Sequence, residues 1–424
     1  MRVKIEKSEA NGIAIAPPSK SIAHRLLIAC ALASGKSEVA GISDSEDMLA
    51  TLDCIKALGV EVAKDGDVVH LNPNADKQKP NRKIADKDCQ SNAETNDKNN
   101  SECKAVFDCR ESGSTLRFFI PVASVFFEKS EFVGSKRLLE RGVDVYKNAL
   151  GDNGVKVDSD SEKIIVSSSL RAGEYTLDGN VSSQYVSGLM FALPLLDGDS
   201  KIIVREPVES RAYIDMTIDV LKKAGIYIAE IERNVFYIKG AQRYRSGKYA
   251  VEGDWSNGAM LLAFDELGGS VQVVGLDENS VQGDKVCRDI FKKLDEKNAV
   301  TDLSNCPDLA PVAFVAAAVK NGATFLGTRR LKIKESDRAA AMAQELKKFG
   351  IEVDVHENDV VVHKNDIKTP LCDIWGHNDH RIVMACSVLL SMTGGYIDGA
   401  EAVKKSFPNF FETIGKLGVK YEIE

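Results

Sequence analysis

From Pro17 the chain reads Pro17-Pro18-Ser19-Lys20-Ser21-Ile22-Ala23-His24-Arg25, and an apolar stretch predicted to be helical, Leu26 to Leu32, follows. An ammonium, a hydroxyl and a guanidinium are thus set beside the start of a helix. Such a start presents unpaired backbone N–H groups and the positive end of the helix dipole. Basic side chains added there make a site for a small, multiply charged anion. A capped helix with a solvated basic face is the plainer reading of the same residues, so the choice rests on what recurs downstream.

Similar groupings do recur. Cys109-Arg110-Glu111-Ser112-Gly113-Ser114-Thr115-Leu116-Arg117 follows a short strand pattern and opens an apolar helix. Its small residues let a ligand approach the backbone, and Arg117 is either structural or part of a site. Arg141 lies between Glu140 and Gly142 at the expected start of a helix through Leu150, where the dipole offers a cation nothing and a ligand would explain it. Ser182 and Ser183 precede an apolar helix, Val186 to Leu196, as N-cap candidates. Gln184, with paired donors and acceptors, equally suits a polyhydroxy substrate. Ser210-Arg211-Ala212-Tyr213 opens a helix at Ile214. Asp308, within Asn305-Cys306-Pro307-Asp308-Leu309-Ala310, is either an N-cap or a carboxylate placed to accept a proton. In Lys332-Ile333-Lys334-Glu335-Ser336-Asp337-Arg338, ahead of a helix from Ala339 to Phe349, Glu335 sits between cations that favour ionisation or proton exchange. Asp379-His380-Arg381 precedes Ile382 to Leu390, and His380 either switches charge near neutral pH or pairs with Asp379. Lys405, in Lys404-Lys405-Ser406-Phe407-Pro408, precedes a helix from Asn409 to Leu417. Every grouping is expected at a helix N-terminus.

The elements that must position these residues repeat along the chain. An amphipathic helix ends in Lys or Leu plus Gly, and a short alternating strand follows, as at Ile55 to Val62, Leu221 to Ile226, Leu346 to Val353 and Lys416 to Tyr421. Looser copies run from Asn148 to Val157 and from Phe291 to Val300, the last without its Gly. Gly in that place fits a left-handed helix cap, and the alternation after it fits a half-buried strand. Three copies continue into a second strand through a polar turn, as in a hairpin. Six such units predict two domains of three. Residues 72–104, rich in Asn, Asp, Lys, Gln and Ser, break the rhythm as a mobile polar insertion.

A chain of 424 residues exceeds one ordinary core, and 44% hydrophobic with 28% charged residues describes a soluble globular protein. The longest apolar run, Leu309 to Val319, contains Pro311 and is too short to span a bilayer. Met1 to Pro18 has neither a secretion core nor a transit bias, so the cytoplasm and no membrane partner are expected. The nine cysteines are scattered, which suits a reducing compartment, and no His pair accompanies Cys103 and Cys109 at zinc spacing, so no metal is expected. A net charge of −8 argues against a nucleic-acid partner.

Taken in order, P-S-K-S-x-x-H-R, S-S-Q-Y, P-D-L-A, K-E-S-D-R, D-H-R and K-S-F-P resemble the enolpyruvyl transferase family, in the branch that takes shikimate 3-phosphate; the likeness runs from about Pro17 to Pro408. The resemblance implies an α/β (α+β) fold of two similar lobes, each of three βαβαββ units, with the active site in the interdomain cleft. One lobe would hold residues 1–18 and 253–424, the other 19–252. It implies transfer of the enolpyruvyl group of phosphoenolpyruvate to the 5-hydroxyl of shikimate 3-phosphate, in aromatic amino-acid biosynthesis. The route would be addition and elimination through a tetrahedral intermediate, by a monomer with neither metal nor organic cofactor. Shikimate 3-phosphate would be bound by Lys20, Ser21, Arg25, Ser182, Ser183, Gln184, Ser210, Tyr213, Asp308 and Lys334. Phosphoenolpyruvate would be bound by Lys20, Gly113, Arg141, Gln184, Arg338, Arg381 and Lys405. Asp308, Glu335, Lys20 and Lys405 would carry catalysis. Gly113 leaves room for the inhibitor glyphosate.

Three departures from the family pattern bear on affinity: Glu111 and Ser112 replace the usual Asn and Ala, Gly142 replaces a Pro, and Arg330 stands where Asn is frequent. The nearest rival is the sister transferase acting on UDP-N-acetylglucosamine, which carries Lys-Asn in place of Lys20-Ser21 and a loop Cys that residues 135–142 lack. A second rival, a polyanion-binding repeat protein without catalysis, conflicts with the acidic balance.

Overall fold

The computed structural model describes residues 1–74 and 105–424. Of the predicted insertion, residues 75–104 lie outside the described residues. Asn72 and Pro73 are not part of a loop: they complete the strand Val68–Pro73 opposite Glu61 and Val60, and the Asn72 amide donates to Glu61 Oε2 at 2.7 Å. A polar side chain on the open face of a sheet reads as loop in sequence, but costs the strand nothing.

The chain forms two compact units, Met1–Ser21 with Ser43–Ser45 and Val251–Glu424, and Ile22–Ile42 with Glu46–Ala250. In the second unit three four-stranded sheets share one order. Ala105–Asp108 runs parallel to Lys129–Val133, which pairs antiparallel with Lys163–Ser167, itself hairpinned to Lys156–Ser159. Glu174–Asp178, Ser200–Arg205, Val235–Ile238 and Ile228–Glu232 repeat that order, as do Lys248–Ala250, Ser37–Ala40, Val68–Pro73 and Val60–Asp65. The first unit has two sheets of this kind and a third of only two strands, Ser270–Val274 parallel to Asn11–Ile15.

Five complete copies and one shortened copy therefore stand in place of six. The copy that loses its hairpin is Phe291 to Val300. Its helix, Cys287–Lys293, leads straight into Ala299–Asp302, the outer parallel strand of the next sheet. Asn298 (φ +58°) stands at that junction. At the five copies with Gly, residues 59, 154, 225, 350 and 418 all take φ between +79° and +94°, the left-handed cap that a side chain with a Cβ resists.

Inside each unit lie helices that are apolar on all sides, as burial on all sides requires. In the first unit Trp255–Glu266, Ala310–Val319 and His380–Thr393 pack against one another. In the second, Gly113–Phe126 packs along Ser183–Ala192. Among the described residues no helix is long and apolar enough to cross a membrane. The close approach of the second pair centres on Gly188, where an added Cβ would strike the Arg117 carbonyl oxygen and the Tyr146 hydroxyl and come within 3.0 Å of Pro121 Cγ. Since neither backbone can yield freely, Gly188→Ala is expected to cost about 1–3 kcal/mol, read from urea unfolding. A variant as stable as the parent would show that these helices are not packed as described.

Candidate active site

In the first unit the groupings at 308, 334–338 and 379–381 converge. Asp308 lies in the 3-10 turn Pro307–Leu309 ahead of Ala310–Val319, but the N-cap positions there are Cys306 and Leu309. Its Oδ1 instead accepts from Arg338 Nη1 at 2.7 Å and Lys334 Nζ at 3.2 Å, and its Oδ2 from Arg381 Nη2 at 3.3 Å. The N-cap reading of Asp308 is thereby overturned: Pro311 and Ala310 start the helix unaided, and the carboxylate is spent on cations.

Arg338, the first residue of Arg338–Lys348, is 1% exposed and wholly enclosed by acids. It donates to Asp308, to Glu335 Oε2 at 2.7 Å and to Asp379 Oδ2 at 2.9 Å. Asp379 also caps His380–Thr393, accepting from the Arg381 amide at 3.0 Å, and takes the Ser336 hydroxyl at 3.0 Å. The helix thus begins at His380, not Ile382, and Arg381 is its second residue.

Charge balance follows from this geometry. Burial alone would raise the Asp308 carboxyl, but Lys334, Arg381 and Arg338 hold it well below the usual carboxylate range. Burial, then Arg330 and Arg338, lower the Lys334 ammonium against the pull of Asp308. Burial, then the neighbouring Asp308, push the Asp284 carboxyl up to about 6. Asp284, Asp254 and the buried Arg330 are members of this electrostatic neighbourhood that motif reading passed over or placed elsewhere. No short signature marks them, although Asp254 is legible as the N-cap of Trp255–Glu266.

Lys20 opens the helix Lys20–Ala31 and Ser21 is its second residue, so the helix starts six residues before the predicted Leu26. The Lys20 amide donates to Asp254 Oδ2 at 3.0 Å. Lys405 ends the 3-10 stretch Ala400–Lys405 and donates from Nζ to the Asn378 carbonyl at 2.6 Å.

In the second unit Arg25 lies in mid-helix, 2% exposed, rather than ahead of it. Its Nε donates to Thr217 Oγ1 at 2.8 Å and its Nη2 to the Tyr213 carbonyl at 3.1 Å. Burial draws its guanidinium down to about 10, still charged at neutral pH. Ser210, in a left-handed conformation (φ +56°), precedes Arg211–Lys223, which holds Tyr213 and Thr217 and starts before the predicted Ile214.

A second cluster in this unit surrounds Gly113. Ser112 caps Gly113–Phe126, and Ser182 caps Ser183–Ala192 by accepting from the Gln184 amide. Gln184 accepts from Arg117 Nη1 at 3.2 Å and donates to Ser114 Oγ at 2.9 Å. A Cβ on Gly113 would lie 2.7 Å from Arg117 Nη1 and 3.0 and 3.1 Å from the two terminal nitrogens of Arg141. Two guanidiniums therefore meet over one glycine, an arrangement that suits a carboxylate or phosphate. Arg117 also donates from Nη1 to the Gly113 carbonyl at 3.3 Å, which ties it to this cluster.

Arg141 is not at a helix start. It is the C-cap of Lys136–Glu140, and the next helix begins only at Asp144. A cation at a helix C-terminus is favoured by the dipole, so its position is electrostatically sound without a ligand. Gly142 (φ +67°) takes a conformation closed to proline, and its carbonyl accepts from Tyr185 Oη at 3.0 Å and Arg117 Nη2 at 3.4 Å.

Comparison with known proteins identifies the family. A family model described as EPSP synthase (3-phosphoshikimate 1-carboxyvinyltransferase) matches residues 5–414. The chain is 37% identical to the 3-phosphoshikimate 1-carboxyvinyltransferase of Clostridium novyi and 38% identical to that of Clostridium acetobutylicum, each over 98% of this chain and 97% of the relative. Its fold is similar to that of the EPSP synthase of Acinetobacter baumannii, with a TM-score of 0.78 at 21% identity over 100% of this chain and 99% of the other. The chain belongs to the EPSP synthase family.

The expected switching by His380 is not what its surroundings produce. The ring is 2% exposed, neither nitrogen has a hydrogen-bond partner among the described residues, and burial followed by Lys20 and Arg381 lowers its pKa well below 6.5. A folded-state pKa below the unfolded value means that the unfolded chain binds the extra proton first. Stability is therefore lost as pH falls below about 6.5, by up to about 1.4 kcal/mol per pH unit. Urea unfolding at pH 6.5 and 5.5 is expected to show this slope in the parent and to show it reduced in His380→Asn. Parallel slopes would place the imidazole in water.

Proposed function

We propose that this chain catalyses the 3-phosphoshikimate 1-carboxyvinyltransferase reaction of the shikimate pathway. The enolpyruvyl group of phosphoenolpyruvate passes to the 5-hydroxyl of shikimate 3-phosphate and phosphate leaves. The observation that carries the chemistry is the Asp308 carboxylate, held ionised by Arg338, Lys334 and Arg381 beside the carboxylate of Glu335.

In this proposal Asp308 and Lys334 hold the hydroxyls of shikimate 3-phosphate, and Asp308 accepts the proton from the attacking oxygen. Glu335, first protonated by the Lys405 ammonium, delivers that proton to the methylene carbon of phosphoenolpyruvate. The hydroxyl adds at the adjacent carbon to give a tetrahedral ketal. Loss of a proton from the new methyl group and of phosphate restores the double bond. Only proton transfers and carbon–oxygen bond changes are involved, so the chemistry calls for no redox group.

A carboxylate so strongly stabilised is a weak base at rest. Arg338 and Arg381 are also the proposed ligands of phosphoenolpyruvate. As they turn to its carboxylate and phosphate, their hold on Asp308 weakens and its proton affinity rises. Arg141 and the backbone at Gly113 would take the same substrate, with Gln184 alongside. Lys20, Ser21, Arg25, Ser182, Ser183, Ser210 and Tyr213 would take shikimate 3-phosphate, Lys20 reaching both. The family match favours this branch over the UDP-N-acetylglucosamine transferases and over a polyanion binder.

Purified protein is expected to release phosphate only when both phosphoenolpyruvate and shikimate 3-phosphate are supplied. Lys20→Ala should lower that turnover by about three orders of magnitude or more, as loss of a positioned charge does, with unfolding unchanged. Near-normal activity in this variant would dismiss the assigned site. Glyphosate is expected to compete with phosphoenolpyruvate. Gly113→Ala should raise its inhibition constant at least about tenfold, because the methyl displaces Arg117 and Arg141. Parent turnover indifferent to millimolar glyphosate would refute the inhibitor reading.

A further inference from the structure

Gln282 lies where two stretches of the first unit, residues 17–20 and 252–255, run side by side. Pro18 and Gly253 form an antiparallel bridge, flanked by Ser19 N–H to Glu252 O and Asp254 N–H to Pro17 O, both 2.8 Å. The Gln282 side chain, in a residue 4% exposed, devotes all four of its hydrogen-bonding positions to this seam. Oε1 accepts from Ser19 Oγ at 3.0 Å and from Trp255 N–H at 3.1 Å; Nε2 donates to Glu252 Oε1 at 2.7 Å and to the Gly253 carbonyl at 2.8 Å. Asp254 then joins two helices: Oδ2 accepts the Lys20 amide at 3.0 Å and Oδ1 the Asn257 amide at 2.8 Å. Apart from Ser43–Ser45, the chain leaves this unit after Ser21 and re-enters it at Val251, so the seam lies where both long stretches of the unit meet its boundary.

We infer that Gln282 is a positioning residue for Lys20. It sets the register of residues 17–20 against 252–255, so that Asp254 meets the Lys20 amide and the side chain leaves the first helical turn in one direction. Without the amide group, the Ser19 hydroxyl, the Trp255 N–H and the Gly253 carbonyl would each lose a buried partner, which costs more than the bonds themselves contribute. The inference rests on the proposed role of Lys20 as a substrate ligand.

The test compares the parent with Gln282→Glu, Lys20→Ala, the double variant of those two, and Glu252→Gln combined with Gln282→Glu. Gln282→Glu keeps the shape but turns a carboxylate toward Glu252 and the Gly253 carbonyl; adding Glu252→Gln restores one donor. Hydrogen exchange at the Lys20 amide and calorimetric binding of shikimate 3-phosphate are read on folded protein, as checked by thermal melting.

Gln282→Glu is expected to speed that exchange and weaken binding, each at least about tenfold, and Glu252→Gln to recover most of both losses. In the Lys20→Ala background Gln282→Glu should weaken binding no more than about twofold, because its effect runs through Lys20. Unchanged exchange in Gln282→Glu, or losses that multiply in the double variant, would overturn the inference. If Lys20→Ala alone binds like the parent, the site assignment falls instead, and the exchange result still decides whether Gln282 holds the segment. Should Gln282→Glu fail to fold, Gln282→Met carries the same measurements.

Discussion

Three cations gathered out of water, Lys334, Arg338 and Arg381, are tolerable in one place only because carboxylates gather with them. Arg338 alone is bracketed by Asp308, Glu335 and Asp379, and Asp308 is shared by all three cations. Removing a charge from water costs several kcal/mol, and only close, well-formed ion pairs return that cost. The first unit is built around this balance. Asp379 serves at once as a helix cap and as a partner of Arg338, and Glu335 lies three residues before Arg338 so that both point inward. The arrangement sets Asp308, Glu335 and Asp379 against Lys334, Arg338 and Arg381.

The second unit meets the same problem with neutral groups. The bonds of Arg25 to Thr217 and Tyr213, and of Arg117 to Gln184, Gly113 and Gly142, run to hydroxyl, amide and carbonyl oxygens. Dipoles satisfy hydrogen bonds without cancelling charge. Burial accordingly lowers the Arg25 guanidinium, while the acids around Arg338 push that one up in spite of burial. Arg117 and Arg141 approach each other over Gly113. The two units thus differ in electrostatic strategy while repeating one sheet order.

What could be read along the chain was whatever depends on near neighbours. The left-handed glycines at 59, 225, 350 and 418 follow from local steric limits, and the Ser112 and Ser182 caps from local hydrogen bonding. The errors fell where the deciding partner is distant or the backbone departs from the simplest pattern. Arg141 was placed at a helix start because Glu140 and Leu150 looked continuous, whereas Gly142 at φ +67° divides the stretch into two helices. Asp308 looked like a cap because its partners lie 26, 30 and 73 residues away. His380 looked titratable because its burial is invisible in a tripeptide.

The sequence by itself determined the helix–glycine–strand repeat, the order of the charged groupings and the family they resemble, since each rests on residue type and short spacing. Tertiary structure alone decided that Asp308, Glu335 and Arg338 share one charge network, that Arg117 joins Arg141 over Gly113, and that His380 stays neutral. These depend on which groups lose water together. Desolvation and charge pairing act through space, over contacts whose separation along the chain carries no signal.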